Sequence, residues 1–292
     1  MKRRPKNLSE VLKSIFLGII QGITEWLPIS STGHMILFNS FLPLDESFYS
    51  GGREFVELFL TVIQFGSMLS IVFLFFKKLN LFSMRKTISE RKVCLELWKK
   101  IIFGSIPAAF VGLAFKDLIH KYFYNGFVVA LMLILYGFFF LLVESNRNVS
   151  FKIKTIEQLN FKTVFLIGIF QTLALVPGTS RSGATILGAL LVGCSRSVGA
   201  EFSFFLAIPT MAGASLLEIL SYFKHNGIGF SPIEFLVLMV GFSVSFIVSM
   251  VAVSIFMKYI KKHNFKVFAY YRILVGALFI VLFYFNFVSL NV

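Results

Sequence analysis

The sequence is poor in charge, and the charge it has is one-sided. Only 14% of its 292 residues are Asp, Glu, Lys or Arg, against about 25% in an ordinary soluble domain. Acids are the scarcer kind: 14 Asp and Glu stand against 28 Lys and Arg, a formal net charge of +14. Cysteine is nearly absent as well. Cys94 and Cys194 lie far apart with no CxxC or metal-ligand spacing, so neither a disulfide framework nor a zinc site is available. These shortages, set beside the apolar content below, exclude a water-soluble enzyme, a disordered chain and a disulfide scaffold.

What is present is apolar. Hydrophobic residues make up 57% of the chain, 38 of its residues are phenylalanine, and the mean hydropathy is +0.83. This is the composition of a polytopic membrane protein, and the phenylalanines read as lipid-facing bulk. The pI of about 9.8 does not argue for nucleic acid, because no groove-reading motif accompanies the basic residues. They cluster between apolar runs instead. The stretch Lys77–Lys100 carries Lys77, Lys78, Arg85, Lys86, Arg91, Lys92, Lys99 and Lys100 against Glu90 and Glu96, the pattern of a cytoplasmic loop under the positive-inside rule. Cys94 in that loop reads as a free thiol. The N-terminus (MKRRPKN, then an apolar stretch from Val11) looks like a signal peptide, but Glu25 and Pro28 interrupt it and no small-residue cleavage site follows; retention is expected.

A spanning helix needs about 20 mostly apolar residues. Six runs qualify, near 55–76, 100–116, 127–143, 202–223, 233–257 and 270–290. Two further apolar stretches, 11–42 and 161–193, break in the middle into polar segments containing Pro, Gly and Ser. Broken backbone at membrane depth is tolerated only where it lines a cavity or is buried in protein, so these breaks are where function is expected. They also correspond to each other. Residues 18–21 read GIIQ and 168–171 read GIFQ, and at the same offset Ser30 falls on Ser180 and Gly33 on Gly183. The expectation is one integral membrane domain over 1–292, all-α and polytopic, holding repeat one at about 8–143 and repeat two at about 160–290. If both broken segments cross fully, the repeats are parallel and the loop Lys258, Lys261, Lys262, Lys266 lies outside. If both are re-entrant hairpins, the repeats are inverted. That loop then joins Lys77–Lys100 and the 147–162 loop (Arg147, Lys152, Lys154, Lys162) inside, with Lys2, Arg3, Arg4 and Lys6 outside. Charge alone barely separates the two. The inverted arrangement is preferred because it brings both broken loops to one midplane site.

The first break reads Gln21-Gly-Ile-Thr-Glu25-Trp-Leu-Pro28-Ile-Ser30-Ser31-Thr32-Gly33-His34. Gln21 and Glu25 are four apart and share a helix face. Pro28 ends that helix, hydroxyls and a glycine follow, and a new helix opens near His34, where free backbone N–H groups suit an anion. An acid and a histidine inside a membrane segment are functional candidates by default. The second break, Pro177-Gly178-Thr179-Ser180-Arg181-Ser182-Gly183-Ala184-Thr185, sets one arginine among hydroxyls and glycines. Its planar fork matches phosphate oxygens. Small residues such as Gly183 and Gly188 taken singly are explained by close helix packing, and Glu201, Glu218 and Arg272 serve equally well as structural partners. Together the two breaks describe a phosphate-chemistry site. Arg181, with Ser180, Thr185 and the loop amides, would clamp the phosphates. Ser31 with His34 as its base is the favoured nucleophile, with His34 itself or a water activated by Glu25 as the alternatives.

At these motifs the chain resembles the bacitracin-resistance family of undecaprenyl-diphosphate phosphatases. The family pattern is an [E/Q]xxxE helix followed by PxSSTGH, and a PGxSRSxxT loop; the resemblance extends to VIQFGS at 62–67 and EFSFFLAIP at 201–209. It implies inverted repeats of about six transmembrane helices plus two re-entrant hairpins. It also implies hydrolysis of a C55 polyprenyl diphosphate to the monophosphate and phosphate, recycling the carrier for cell-wall glycan synthesis in the bacterial cytoplasmic (inner) membrane. Catalytic roles would then fall to Glu25, Ser31, His34 and Arg181, and substrate contacts to Gln21, Ser30, Thr32, Gly178, Ser180, Ser182 and Thr185. Glu25 would also be a ligand for a divalent cation (Mg²⁺ or Ca²⁺). Gln21 stands where many members have Glu, which leaves Glu25 the sole acid there. The expected partners are the lipid substrate and the bilayer, with no nucleic acid and a homodimer as an option. The rival reading is a translocator that flips a polyprenyl phosphate through the same site.

Overall fold

The computed structural model describes residues 4–145, 151–227 and 229–285. Lys2, Arg3, Arg147 and the end of the 270–290 run lie outside them. The described residues are helical, with one isolated bridge between Ile153 and Cys194 and no strands. Six helices are long and apolar enough to cross a membrane: α3 (Gly52–Leu74), α5 (Ile88–Phe123), α6 (Gly126–Ser145), α9 (Arg196–Asn226), α10 (Pro232–Ile260) and α11 (Lys266–Tyr284). The protein is therefore an all-α, multi-pass membrane protein, as its composition required.

The other helices do not match that span. α2 (Ser31–Phe41) and α8 (Arg181–Leu191) have 11 residues each, and α7 (Phe161–Thr172) has 12. Eleven residues reach about 16 Å, roughly half of a hydrocarbon core. α1 (Arg4–Thr24) is longer, but its first turns carry Lys6, Glu10 and Lys13. The short α4 (Phe76–Leu79) follows α3.

One expectation is corrected. The stretch Lys77–Lys100, read as loop, is helical from Ile88 onward. Cys94, Leu97 and Ile101 recur on one helical face and are buried, while Arg91, Lys92 and Lys99 face outward; that amphipathic period is what extends α5 beyond its apolar run. Cys94 is a buried free thiol, donating to the Lys78 carbonyl at 3.0 Å.

The two halves of the chain interlock by exchange. α1 packs on α10, and α7 packs on α5; α3 lies against α9 and α10, while α9 lies against α3 and α5; α6 pairs with α11. The GIIQ and GIFQ glycines make the two exchanged crossings possible. A Cβ on Gly18 would stand 2.8 Å from the Gly241 carbonyl of α10, and one on Gly168 would stand 2.3 Å from the Gly104 carbonyl of α5. Gly188 is likewise a packing residue, pressed against the Phe170 ring.

Candidate active site

Each broken segment ends in the same backbone device. Ser30 caps α2 and Ser180 caps α8, and both hold φ at 71°, the only non-glycine residues with positive φ among those described. Left-handed backbone costs an L-residue about 1–2 kcal/mol. It is held here because each serine hydroxyl accepts the backbone N–H three residues on, from Gly33 at 3.3 Å and Gly183 at 3.1 Å. The sharp reversal aims the next residue, Ser31 in one half and Arg181 in the other, at a common point.

That point is Glu25. Its Oε1 accepts from Arg181 Nη2 at 2.8 Å, and its Oε2 accepts from Ser31 Oγ at 2.7 Å and from Gln21 Nε2 at 2.9 Å. Two residues at equivalent positions of the two halves thus hold the two oxygens of one carboxylate. The Arg181 and Glu25 side chains are 14% and 4% exposed, so the pair is nearly dry. Arg181 also donates from Nη1 to the Ser203 carbonyl at 3.1 Å, approaches the Met211 sulfur at 3.3 Å, and lies 5.0 Å from the centre of the Trp26 ring. Two buried donors here, Arg181 Nε and Trp26 Nε1, have no acceptor among the described residues.

A second guanidinium frames the site. Arg272 of α11 is fully buried and faces no carboxylate. It donates to five carbonyls: Pro28 (3.0 Å) in the first break, Gly178 (2.9 Å) and Thr179 (3.0 Å) in the second, and Met132 (3.2 Å) and Leu133 (3.3 Å) on α6. Arginine is suited to this by its rigid fan of five N–H donors. It ties both broken loops to α6, so of its two readings the structural one holds. Gly178 belongs to the same joint. Its φ is +86°, and a Cβ there would meet the Val129 carbonyl at 2.5 Å. Glu201 is also structural, paired with Lys78 at 2.5 Å.

His34 and Ser31 do not pair. A carbonyl can only accept, so the His34 Nδ1 that lies 2.7 Å from the Ser30 carbonyl carries the proton. Nε2 is then free to accept from the Tyr271 hydroxyl at 2.7 Å. Ser31 donates to Glu25 instead. The expected Ser31–His34 pair is replaced by Ser31–Glu25: both His34 ring nitrogens are taken, by the Ser30 carbonyl and the Tyr271 hydroxyl, while the Ser31 hydroxyl reaches back to Glu25.

The remaining predicted residues divide by contact. Thr32 is exposed and Ser31 half-buried, which places them at the mouth, while the Arg181 side chain is mostly covered. Ser182 is buried and donates to the carbonyls of Glu25 (3.2 Å) and Leu27 (3.1 Å), stitching α8 to the end of the first break. Thr185 is fully buried; it donates to the Arg181 carbonyl at 2.8 Å and shares a bond with the Ser203 hydroxyl. Ser180 is spent on its cap and on Ser182. Tyr271, Trp26, Ser203 and Met211 were not foreseen. Trp26 adjoins Glu25 in sequence, and Ser203 lies in the EFSFFLAIP segment, so those two had a local signal. Tyr271 and Met211 had none, since they reach the site only through packing.

No group of three or more His, Cys, Asp or Glu that could hold a metal exists among the described residues. The oxygen donors gathered here are hard ones: one carboxylate, serine hydroxyls and backbone carbonyls. The site carries one carboxylate against two buried guanidiniums, a balance that favours an anion.

The fold and this site together define a helical multi-pass membrane protein with a charged site between two broken segments. The family described as Bacitracin resistance protein BacA matches residues 14–278, and the chain belongs to that family. It is 51% identical over 279 residues to Undecaprenyl-diphosphatase 1 of Clostridioides difficile, covering 96% of this chain and 97% of that one. It is 50% identical over 276 residues to Undecaprenyl-diphosphatase of Acetivibrio thermocellus (94% and 98% covered), and 48% identical over 269 residues to Undecaprenyl-diphosphatase of Enterococcus faecalis (92% and 95%).

Proposed function

We propose that the protein is an integral membrane phosphatase that hydrolyses undecaprenyl (C55) diphosphate to undecaprenyl phosphate and inorganic phosphate. It would thereby recycle the lipid carrier for cell-wall glycan synthesis and confer bacitracin resistance. The near full-length similarity to undecaprenyl-diphosphatases supports the substrate. The observation that carries the chemistry is the Glu25 carboxylate held between Arg181 and Ser31.

In this reading the arriving diphosphate takes over Arg181 from Glu25, with positioning and charge neutralisation dominating as in other phosphoryl transfers. The loss of Arg181 frees Glu25 Oε1 from its ion pair, and Oε2 already receives the Ser31 hydroxyl. Ser31 Oγ attacks the terminal phosphorus while its proton passes to Glu25. The bond from that phosphorus to the bridging oxygen breaks, and the lipid monophosphate leaves with the oxygen. Glu25 passes that proton to the departing monophosphate and then takes one from a water whose oxygen attacks the phosphoserine phosphorus; the bond to Ser31 Oγ breaks, inorganic phosphate leaves, and Glu25 returns the proton to Ser31 Oγ. His34 positions Tyr271 at the mouth, and the exposed Thr32 contacts the substrate there. A divalent cation, Mg²⁺ or Ca²⁺, would have Glu25 as its one carboxylate ligand, since these ions take hard oxygen ligands; it would supply neutralisation of phosphoryl charge, and Glu25 would then be a ligand in place of the base for Ser31.

The helix exchange between halves supports reading 8–143 and 160–290 as repeats. With three crossings in each half the repeats are inverted, and α1–α2 and α7–α8 are re-entrant hairpins. The bacterial cytoplasmic membrane is the location this activity calls for.

The test is phosphate release from farnesyl diphosphate in detergent. Arg181→Ala, Glu25→Ala and Ser31→Ala are expected to abolish release while remaining monodisperse on gel filtration, and His34→Ala to retain part of it. A His34→Ala variant as dead as Ser31→Ala would overturn the Ser31–Glu25 assignment. Release that chelator suppresses and excess Mg²⁺ or Ca²⁺ restores would make Glu25 a cation ligand in place of the base; indifference to both would remove the cation. Wild-type protein that releases nothing yet moves polyprenyl monophosphate across sided liposomes would be a translocator instead.

A further inference from the structure

Away from the Glu25 site, the basic end of the helical bundle holds a cavity of about 570 Å³ between α4, the start of α5 and the loop around Ile156. Five lysines line it (Lys77, Lys78, Lys86, Lys92 and Lys100) against three carboxylates, Glu90, Glu96 and Glu157. The carboxylates are largely committed. Glu90 accepts from the amide and hydroxyl of Thr87, and Glu96 pairs with Lys99. Among the lysines, Lys78 pairs with Glu201, Lys86 donates to the Asn80 carbonyl and Lys100 to the Glu157 carbonyl. Lys77 and Lys92 have no hydrogen bond or ion pair among the described residues. The cavity is therefore net positive, with two cations to spare.

It adjoins a second, apolar hollow of about 620 Å³, with which it shares two lining lysines. That hollow is lined by Phe73, Leu74, Phe75 and Phe76 together with the same Lys77 and Lys78. Phe73 and Phe76 are more than half exposed there, at the end of a membrane-crossing helix. A positive pocket joined through two shared lysines to a greasy strip has the polarity of one molecule, an anionic headgroup carrying an acyl chain. A free anion would make no use of the phenylalanines.

We propose that this pair of hollows binds an anionic glycerophospholipid, its phosphate among Lys77, Lys92 and Lys86 and one acyl chain along Phe73–Phe76. Basic pockets beside membrane helices on the cytoplasmic side suit acidic lipid headgroups.

The experiment is native mass spectrometry of the full chain in detergent. Three probes are added separately: phosphatidylglycerol, phosphatidylcholine with the same chains, and inorganic phosphate. The expected result is a first phosphatidylglycerol adduct that survives activation where phosphatidylcholine is shed. Lys77→Ala with Lys92→Ala is expected to weaken that adduct by roughly thirtyfold, at about fivefold per charge removed. Phe73→Ser with Phe76→Ser is expected to weaken it while leaving the charge intact. Lys92→Gln alone gives a milder form of the first change if the double variant folds poorly. Phosphate release from farnesyl diphosphate in a phosphatidylcholine bilayer should be unchanged in all of them. Equal retention of the two lipids, or an adduct indifferent to the lysine variants, would overturn the proposal. So would inorganic phosphate that displaces phosphatidylglycerol at comparable concentration, since the site would then serve a free anion.

Discussion

Removing the Glu25 charge while keeping its shape isolates both its stabilising and its chemical role. In Glu25→Gln the amide oxygen still accepts from Arg181. The amide nitrogen now falls where Oε2 received Gln21 and Ser31, so it faces two former donors. With Glu25 only 4% exposed and Arg181 14%, stranding the guanidinium should destabilise the fold by about 3–5 kcal/mol, the range for a buried pair that loses one member. Arg181→Met strands the carboxylate and should cost a similar amount. The double variant strands neither and should recover about 1–3 kcal/mol relative to the sum, the coupling expected of groups in direct contact. The assay is denaturant unfolding in mixed micelles for the four proteins, with phosphate release measured on each. Turnover of Glu25→Gln should fall by about 10²–10⁴, the usual contribution of a positioned base. Costs that add within about 0.5 kcal/mol would show that Arg181 and Glu25 do not support each other. Turnover within about threefold of the wild type would remove Glu25 as the base.

Three further outcomes follow from the same geometry. Arg272→Met abandons five carbonyls at the joint of both broken loops; at about 1 kcal/mol or more for each lost bond, the loss should exceed about 4 kcal/mol in the same denaturant unfolding, with Arg272→Lys intermediate. Gly178→Ala should be far worse than Gly193→Ala, although both glycines sit at similar positive φ (86° and 93°), because only Gly178 faces a backbone atom. Strain alone predicts about 1–2 kcal/mol for Gly193→Ala, and equal unfolding midpoints for the two would show that the Val129 contact gives way freely. Tyr271→Phe removes the hydroxyl bonded to His34 Nε2; it should cost about 0.5–1.5 kcal/mol in unfolding and less than about tenfold in turnover, whereas a loss as large as that of Ser31→Ala would make Tyr271 part of the chemistry.

The sequence exposed the spans and the breaks, because both are local. A run of apolar residues and a proline among hydroxyls are visible one segment at a time, and each of the six apolar runs overlaps, within the described residues, a helix long enough to cross. The site residues Glu25, Ser31 and Arg181 were legible for the same reason: polar groups are conspicuous in an apolar stretch. Their partners were not. Ser31 was assigned to His34 on sequence proximity. The backbone reversal at Ser30, a positive φ on a residue that rarely adopts one, turns Ser31 to Glu25 and His34 to Tyr271, a residue 237 positions away. Arg272 shows the same limit in another form. Nothing in YYR says whether a membrane arginine will meet a carboxylate or five carbonyls, and only the convergence of α6 with both loops decides it.

The correspondence between halves explains why so short a list of polar residues suffices. The offset that places Ser30 on Ser180 places Ser31 on Arg181, so one backbone device is used twice and only the residue after it differs. One copy delivers a hydroxyl, the other a fixed cation, and they reach the same carboxylate from the two ends of one oxygen pair. A single acid then does two things in succession. It neutralises Arg181 while the site is closed on itself, so that a second buried guanidinium does not stand unpaired beside Arg272. In the proposed reaction a more highly charged anion takes Arg181 away, and the same acid is left facing Ser31 without its counter-ion. The carboxylate is thus released to Ser31 only when a diphosphate has arrived to be attacked.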